Sequence, residues 1–142
     1  MLKIITGNEK ETAAVGARLG CACRGGEVFA VKGSLGAGKT KFIQGLAKGL
    51  GVKGRVNSPT FNILKIYHLP ARGQLKNFCH LDAYRLGGVK ALANLGLEEY
   101  FNRPDLVVAM EWPEKIKKIL PRGTKFIKIK SLGRSEREIE IK

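Results

Sequence analysis

Positions 33 to 40 read Gly33-Ser34-Leu35-Gly36-Ala37-Gly38-Lys39-Thr40. Glycines at 33, 36 and 38 let successive backbone N–H groups turn to one side, where they cup the oxygens of a di- or triphosphate. Lys39 is then placed to reach the outer phosphates, and the Thr40 hydroxyl is a ligand type that suits magnesium. A helix beginning near Lys39 adds its positive end at the same point. The pattern predicts a phosphate loop for ATP with Mg2+, spanning Gly33 to Thr40 and edged by Lys41.

Such a loop needs an acidic residue at the end of a neighbouring strand to hold the metal or its waters. Asp82 closes Phe78-Cys79-His80-Leu81, and Glu111 closes Leu106-Val107-Val108-Ala109-Met110. Spacing does not choose between them, since a strand-end carboxylate also serves in surface ion pairs. Thr60 falls in the segment after the nucleotide helix. That segment closes on the γ-phosphate in many nucleoside triphosphatases, but local sequence alone favours the start of a strand. Trp112, the only tryptophan, follows Glu111, while His80 and Arg85 flank Asp82. For these three the plain readings are packing, a hydrogen-bonded strand histidine and a structural ion pair.

The elements that must position these residues follow from patterning. Leu2 to Ile5 reads as a strand, and Asn8 with Glu11 forms a capping box for a helix reaching about Cys23. Gly25-Gly26 ends it, and Glu27 to Val31 is an apolar strand feeding the loop. Phe42, Ile43, Leu46 and Leu50 keep helical spacing until Gly51. Phe61–Leu69 and Lys76–Asp82 read as strands joined by a turn at Pro70–Gly73, and Gly87-Gly88 precedes short helical pieces through Tyr100. Asp105–Met110 is a doubly buried strand. Pro113 opens a helix that stops before Pro121. Ile127, Ile129, Ile139 and Ile141 alternate around a turn at Gly133, a terminal hairpin. The expected fold is a P-loop NTPase-like three-layer α/β domain over residues 1–142, with a mixed, mostly parallel central sheet and a C-terminal β-hairpin.

The chain has 142 residues with 26 Lys and Arg against 12 acids, a formal charge of +14 that favours anionic partners without naming one. Direct tRNA contact and a solvated lysine coat both fit that charge. The basic stretch from Lys115 to Lys130 carries only Phe126 as an aromatic residue, which argues against a base-stacking platform. Cys21, Cys23 and Cys79 make no disulfide framework and are poorly spaced for zinc, so reduced thiols are expected. With no membrane-length apolar run and no signal-peptide pattern, the expected compartment is the cytoplasm.

Together the motifs resemble the bacterial TsaE family, the small ATPase of tRNA threonylcarbamoyladenosine biosynthesis. The matching pieces are the phosphate loop, Ser58-Pro59-Thr60-Phe61, His80-Leu81-Asp82-Ala83-Tyr84-Arg85-Leu86, Leu95 to Tyr100, Glu111-Trp112-Pro113-Glu114 and Gly133-Arg134. The loop is shared by many families; the other motifs are specific. The resemblance implies a weak ATPase that docks onto a separate transferase pair, TsaD with TsaB, and supports its repeated turnover. It also implies that Thr40 and Glu111 bind magnesium and that Asp82 positions water or the γ-phosphate. Thr60 would be the closing-loop threonine, and Asn8, Glu9 and Gly133 would lie near adenosine. Two positions depart from the family pattern: Ser34 stands where aspartate is usual, and Lys41 where threonine or serine is usual. Both changes favour binding an anion, while loss of the aspartate could slow hydrolysis. A small-molecule kinase and a nucleotide-dependent adaptor are the competing classes.

Overall fold

The computed structural model describes residues 1–57, 63–84 and 96–142. Seven strands form one sheet: β1 (Leu2–Thr6), β2 (Val28–Lys32), β3 (Leu64–Arg72), β4 (Leu75–Asp82), β5 (Leu106–Glu111), β6 (Lys125–Ser131) and β7 (Arg137–Ile141). Their spatial order is β1-β7-β6-β2-β5-β4-β3. The centre is parallel, β6 and β5 flanking β2 and β4 lying beside β5, whereas both margins are antiparallel. The mixed sheet and the terminal hairpin are as expected, and β1 extends that hairpin by pairing with β7.

The central strands are apolar throughout because both faces are covered. Phe29 and Val31 of β2, with Val107 and Ala109 of β5, face a core that includes Phe42, Ile43 and Leu46. Val28, Ala30, Val108 and Met110 face the other way, toward Leu97, Phe101 and Ile116. The first layer consists of α1 (Glu9–Ala22) and α2 (Lys39–Leu50). Asn8 caps α1 by accepting from Glu11 N at 2.9 Å, and Glu11 reaches back to Gly7 N–H rather than to the cap residue itself. Gly51, at φ 100°, ends α2. The two helices meet backbone to backbone. A Cβ on Gly45 would lie 1.9 Å from Ala13 O, and one on Gly16 would lie 2.2 Å from Phe42 O. No side chain larger than hydrogen fits at either crossing point.

The opposite layer is thinner than expected. The helix anticipated after Pro113 is instead two single 3-10 turns, Pro113–Lys115 and Lys117–Ile119. The residue between them, Ile116, is fully buried at φ −132°, which breaks the helical path. The turn between β3 and β4 also shifts: Pro70 lies within β3, where the register is irregular, and Gly73 begins the turn. β3 is an edge strand, where a residue without an N–H is tolerated. Leu97–Tyr100 is another 3-10 turn. The break at Gly87-Gly88 and the residues beginning the Phe61 strand lie outside the described residues.

Candidate functional site

Three parallel strands end at one side of the sheet. Val31, at the end of β2, is in register with Glu111 of β5, and Glu111 is in register with Asp82 of β4. The Gly33–Gly38 loop leaves β2 at the same edge and opens α2. A cleft of about 490 Å³ lies between loop and acids, within the usual range for small-molecule sites. Its wall comes from Leu35 to Lys41, Asp82, Tyr84, Glu111 and Trp112, with Glu9 and Thr12 of α1 and Ser135 and Arg137 of the hairpin region.

The loop is shaped by its glycines. Gly36 and Gly38 adopt φ of 76° and 105°, the left-handed region that costs glycine least. Gly38 is the N-cap of α2, no side chain caps that end, and Gly38 to Lys41 line the cleft. An uncapped helix N-terminus is a receptor for anions. Lys39 is only 6% exposed. Its Nζ donates to Gly33 O and, at 3.0 Å, to Ser34 O, and it stands 4.2 Å from the centroid of the Trp112 ring. Desolvation pulls this ammonium below the ordinary lysine range, and Glu111, Glu114 and Asp82 partly oppose the shift. An anion entering the cleft would relieve that cost.

The two carboxylates differ. Glu111 is 4% exposed, and its Oε2 accepts from His80 Nε2 at 2.9 Å. His80 is fully buried on the adjacent strand, and among the described residues its Nδ1 has no partner. A proton on Nε2 fits this arrangement, since that is the nitrogen bonded to the carboxylate. Asp82 is more open, and its Oδ1 accepts from Tyr84 N at 2.9 Å. Desolvation raises its carboxyl above the ordinary range, the Tyr84 N–H lowers it, and Glu111 raises it further. Trp112 holds φ 59°, unusual for a bulky residue. Its ring meets Tyr84 at 4.9 Å between centroids.

Most of the expected site residues converge on the cleft. Glu9 and Lys41 pair across its mouth at 3.7 Å, which gives the unusual lysine a partner on α1. Gly33 and Ser34 do not line the cleft themselves, and their carbonyls hold Lys39. A Cβ on Gly33 would lie 2.5 Å from Ile129 O, so this glycine is needed for the loop to start against β6. Gly133 is exposed in the hairpin turn. Arg134 is exposed beside it and does not line the cleft, in contrast to its neighbours Ser135 and Arg137. Thr60 and Arg85 lie outside the described residues. Cys21 is exposed, whereas Cys23 and Cys79 are buried, their thiols pushed up to about 12 by desolvation.

Arg137, Thr12 and Tyr84 were not anticipated. Arg137 shares the inward face of β7 with Ile139 and Ile141, and a lone arginine in an otherwise apolar alternation is the signal that identifies it. Thr12, 1% exposed, bonds Thr6 between hydroxyls at 2.7 Å, fastening α1 to the end of β1.

A glycine loop between a central strand and its following helix, opposed by strand-end acids, defines an α/β protein of the P-loop NTPase-like class. The family profile described as "Threonylcarbamoyl adenosine biosynthesis protein TsaE" matches residues 6–139. The tRNA threonylcarbamoyladenosine biosynthesis protein TsaE of Bacillus subtilis is 41% identical over 97% of this chain and 83% of its own length. The protein of that name from Treponema pallidum is 34% identical over 99% of both chains. The crystal structure of Bacillus subtilis YdiB superposes with a TM-score of 0.74 at 37% identity, covering 97% of this chain and 82% of that one. The chain belongs to the TsaE family, and its pathway is tRNA threonylcarbamoyladenosine biosynthesis.

Proposed function

We propose that the chain is a single-domain, Mg2+-dependent ATP-binding protein and weak ATPase, supporting threonylcarbamoyl transfer to tRNA as partner of a TsaD–TsaB transferase pair. The observation that carries the reading is the meeting of an uncapped helix N-terminus, a desolvated lysine and two strand-end carboxylates at one cleft. The donor set fits magnesium, because Thr40, Glu111 and Asp82 offer only oxygen. Among the described residues no group of three or more His, Cys, Asp or Glu converges on a metal position. That suits an ion held by one or two carboxylates with phosphates and waters rather than by a protein cage.

Each side chain has a defined task. The loop amides and the end of α2 cradle the phosphates, and Lys39 exchanges its loop carbonyls for outer phosphate oxygens. Thr40 and Glu111 hold the ion, and His80 keeps the Glu111 carboxylate turned toward it. Asp82, being more open, orients water near the γ-phosphate. The bound ion offsets negative charge on the phosphates. Glu9, with the turn at Gly133, borders the nucleoside end. The role the family resemblance implies for Thr60 is at the γ-phosphate, and slow turnover in the isolated chain follows if closure around the phosphate requires the partner.

The chain works in the cytoplasm, and no helix of the described residues is long and apolar enough to cross a membrane. Direct tRNA contact through the basic surface is a further part of this reading, tested by the salt dependence of tRNA affinity.

Lys39→Ala should weaken ATP binding by about 100-fold or more, because charge-assisted bonds to phosphate are lost. Calorimetry with ATP and Mg2+ measures it, and affinity matching that of the unsubstituted chain would refute the role given to Lys39. Adding the purified TsaD–TsaB pair should raise the ATPase rate. An unchanged rate would remove the partner-activated reading.

A further inference from the structure

One guanidinium is hydrogen-bonded to the phosphate loop from outside it. Arg137 opens β7, 100 positions after Ala37. Its Nε donates to Ala37 O at 2.7 Å and its Nη2 to Gly36 O at 3.3 Å. Its Nη1 donates to Gly133 O at 3.2 Å and to Glu136 O at 2.9 Å. All four acceptors are backbone carbonyls, and among the described residues no carboxylate pairs with it. Closing the hairpin would require only the bonds to Gly133 and Glu136. The two to the loop need another reason.

Peptide geometry supplies one. A trans peptide is planar, so the N–H following a carbonyl points the opposite way, and the chain has no cis peptide bond among the described residues. With the Ala37 carbonyl drawn to Arg137, the Gly38 N–H is directed away from the guanidinium. Among the described residues that N–H donates to nothing, whereas the neighbouring Ala37 N–H is held by Ser34 O at 3.1 Å. The Gly38 carbonyl accepts from Phe42 N at 3.0 Å, so the peptides on either side are held, and glycine's conformational freedom leaves the peptide between Ala37 and Gly38 to be fixed by the Arg137 bond to Ala37 O.

We propose that Arg137 is a positioning residue of the phosphate loop: by holding the Ala37 carbonyl it aims the Gly38 N–H at the phosphates. The same guanidinium ties this aim to the 133–136 turn at the nucleoside end. The proposal rests on the nucleotide reading above and adds to it a residue outside every motif that suggested it.

The test uses the full chain with Arg137→Met, which keeps side-chain length without donors, and Arg137→Lys, which keeps charge without the planar fork. Calorimetric titration with ADP and with inorganic pyrophosphate is paired with the amide resonance of Gly38. Arg137→Met should weaken both ligands about tenfold, a loss the size of one charge-assisted hydrogen bond. It should also abolish the shift that pyrophosphate induces at Gly38. Arg137→Lys should remain several-fold weaker than the unsubstituted chain. Full recovery by lysine would show that charge alone acts and would overturn the proposal. Unchanged affinity in the methionine variant would overturn it too, as would an intact Gly38 shift in a less stable but folded variant. Failure confined to the variants leaves the nucleotide reading standing. An unsubstituted chain that binds neither ligand removes both.

Discussion

The two sides of the cleft are built from different materials. On the loop side the groups that face a ligand are mostly backbone, and their positions depend on how closely chain can approach chain. Gly33 lies against Ile129 O, and the α1–α2 crossing beneath the loop has glycines on both helices. On the acid side the working groups are side chains, held in direction by hydrogen bonds: Glu111 by His80, Asp82 by the Tyr84 amide. Shape fixes one half and polarity the other. The loop side should therefore fail by steric overlap, with large losses in stability. The acid side should fail by loss of orientation, with changes in ion affinity and modest changes in stability.

The largest effect should come from the helix crossing. Gly45→Val would bring side-chain carbon against Ala13 O, where even a Cβ would lie at 1.9 Å. The clash is with backbone, which has no rotamer to yield, so a destabilisation of about 3 kcal/mol or more is expected. Urea denaturation measures it, and an unchanged midpoint would mean that the helices do not touch there. On the acid side, His80→Phe keeps ring packing beside Phe78 but removes the donor to Glu111. Losing such an outer partner typically weakens metal binding by about 10- to 100-fold. Titrating Mg2+ into the ATP complex should show this loss while ATP affinity without the ion changes little. Equal loss in both titrations would place His80 in the fold rather than behind the ion.

The same contrast decides what can be read from sequence. The loop is contiguous, so its glycines, lysine and threonine are visible as one word, and the flanking strand and helix carry clear periodicity. Asp82 and Glu111 are visible as strand ends, and separate roles for them come only from the family resemblance, but the difference between their surroundings is not legible in the sequence. It depends on His80 lying on the next strand in the right register, which only the strand pairing supplies. The glycines of the crossing stand four apart in each helix, at 16 and 20 and at 45 and 49, yet nothing local says which helix meets which. The stretch after Pro113 has helix-compatible composition and still forms two separate turns, because burying Ile116 takes precedence over local propensity. Arg137 reaches the loop from 100 residues away, a contact that residue spacing does not encode.

The smallest effect, and the sharpest test of the contrast, belongs to Asp82. Its carboxyl is raised in the folded chain above the ordinary value of 3.8, chiefly by desolvation, so folding favours its protonated form. At neutral pH the ionised carboxylate therefore costs stability, a cost that is full above the folded-state pKa. It shrinks as pH falls through that value and is absent well below 3.8, where both states are protonated. Asp82→Asn should then raise the melting temperature at pH 7 by about 2 °C, a small gain because the group is partly solvated. The advantage over the unsubstituted chain should fade at pH 3. Should the proposed role hold, the same variant loses ATP turnover while gaining stability, as expected of a charge retained for function. A melting temperature lowered at pH 7 would make Asp82 a structural anchor, and a gain that persists in acid would show that its ionised charge is not what costs stability; either result erases the distinction drawn between the two acids.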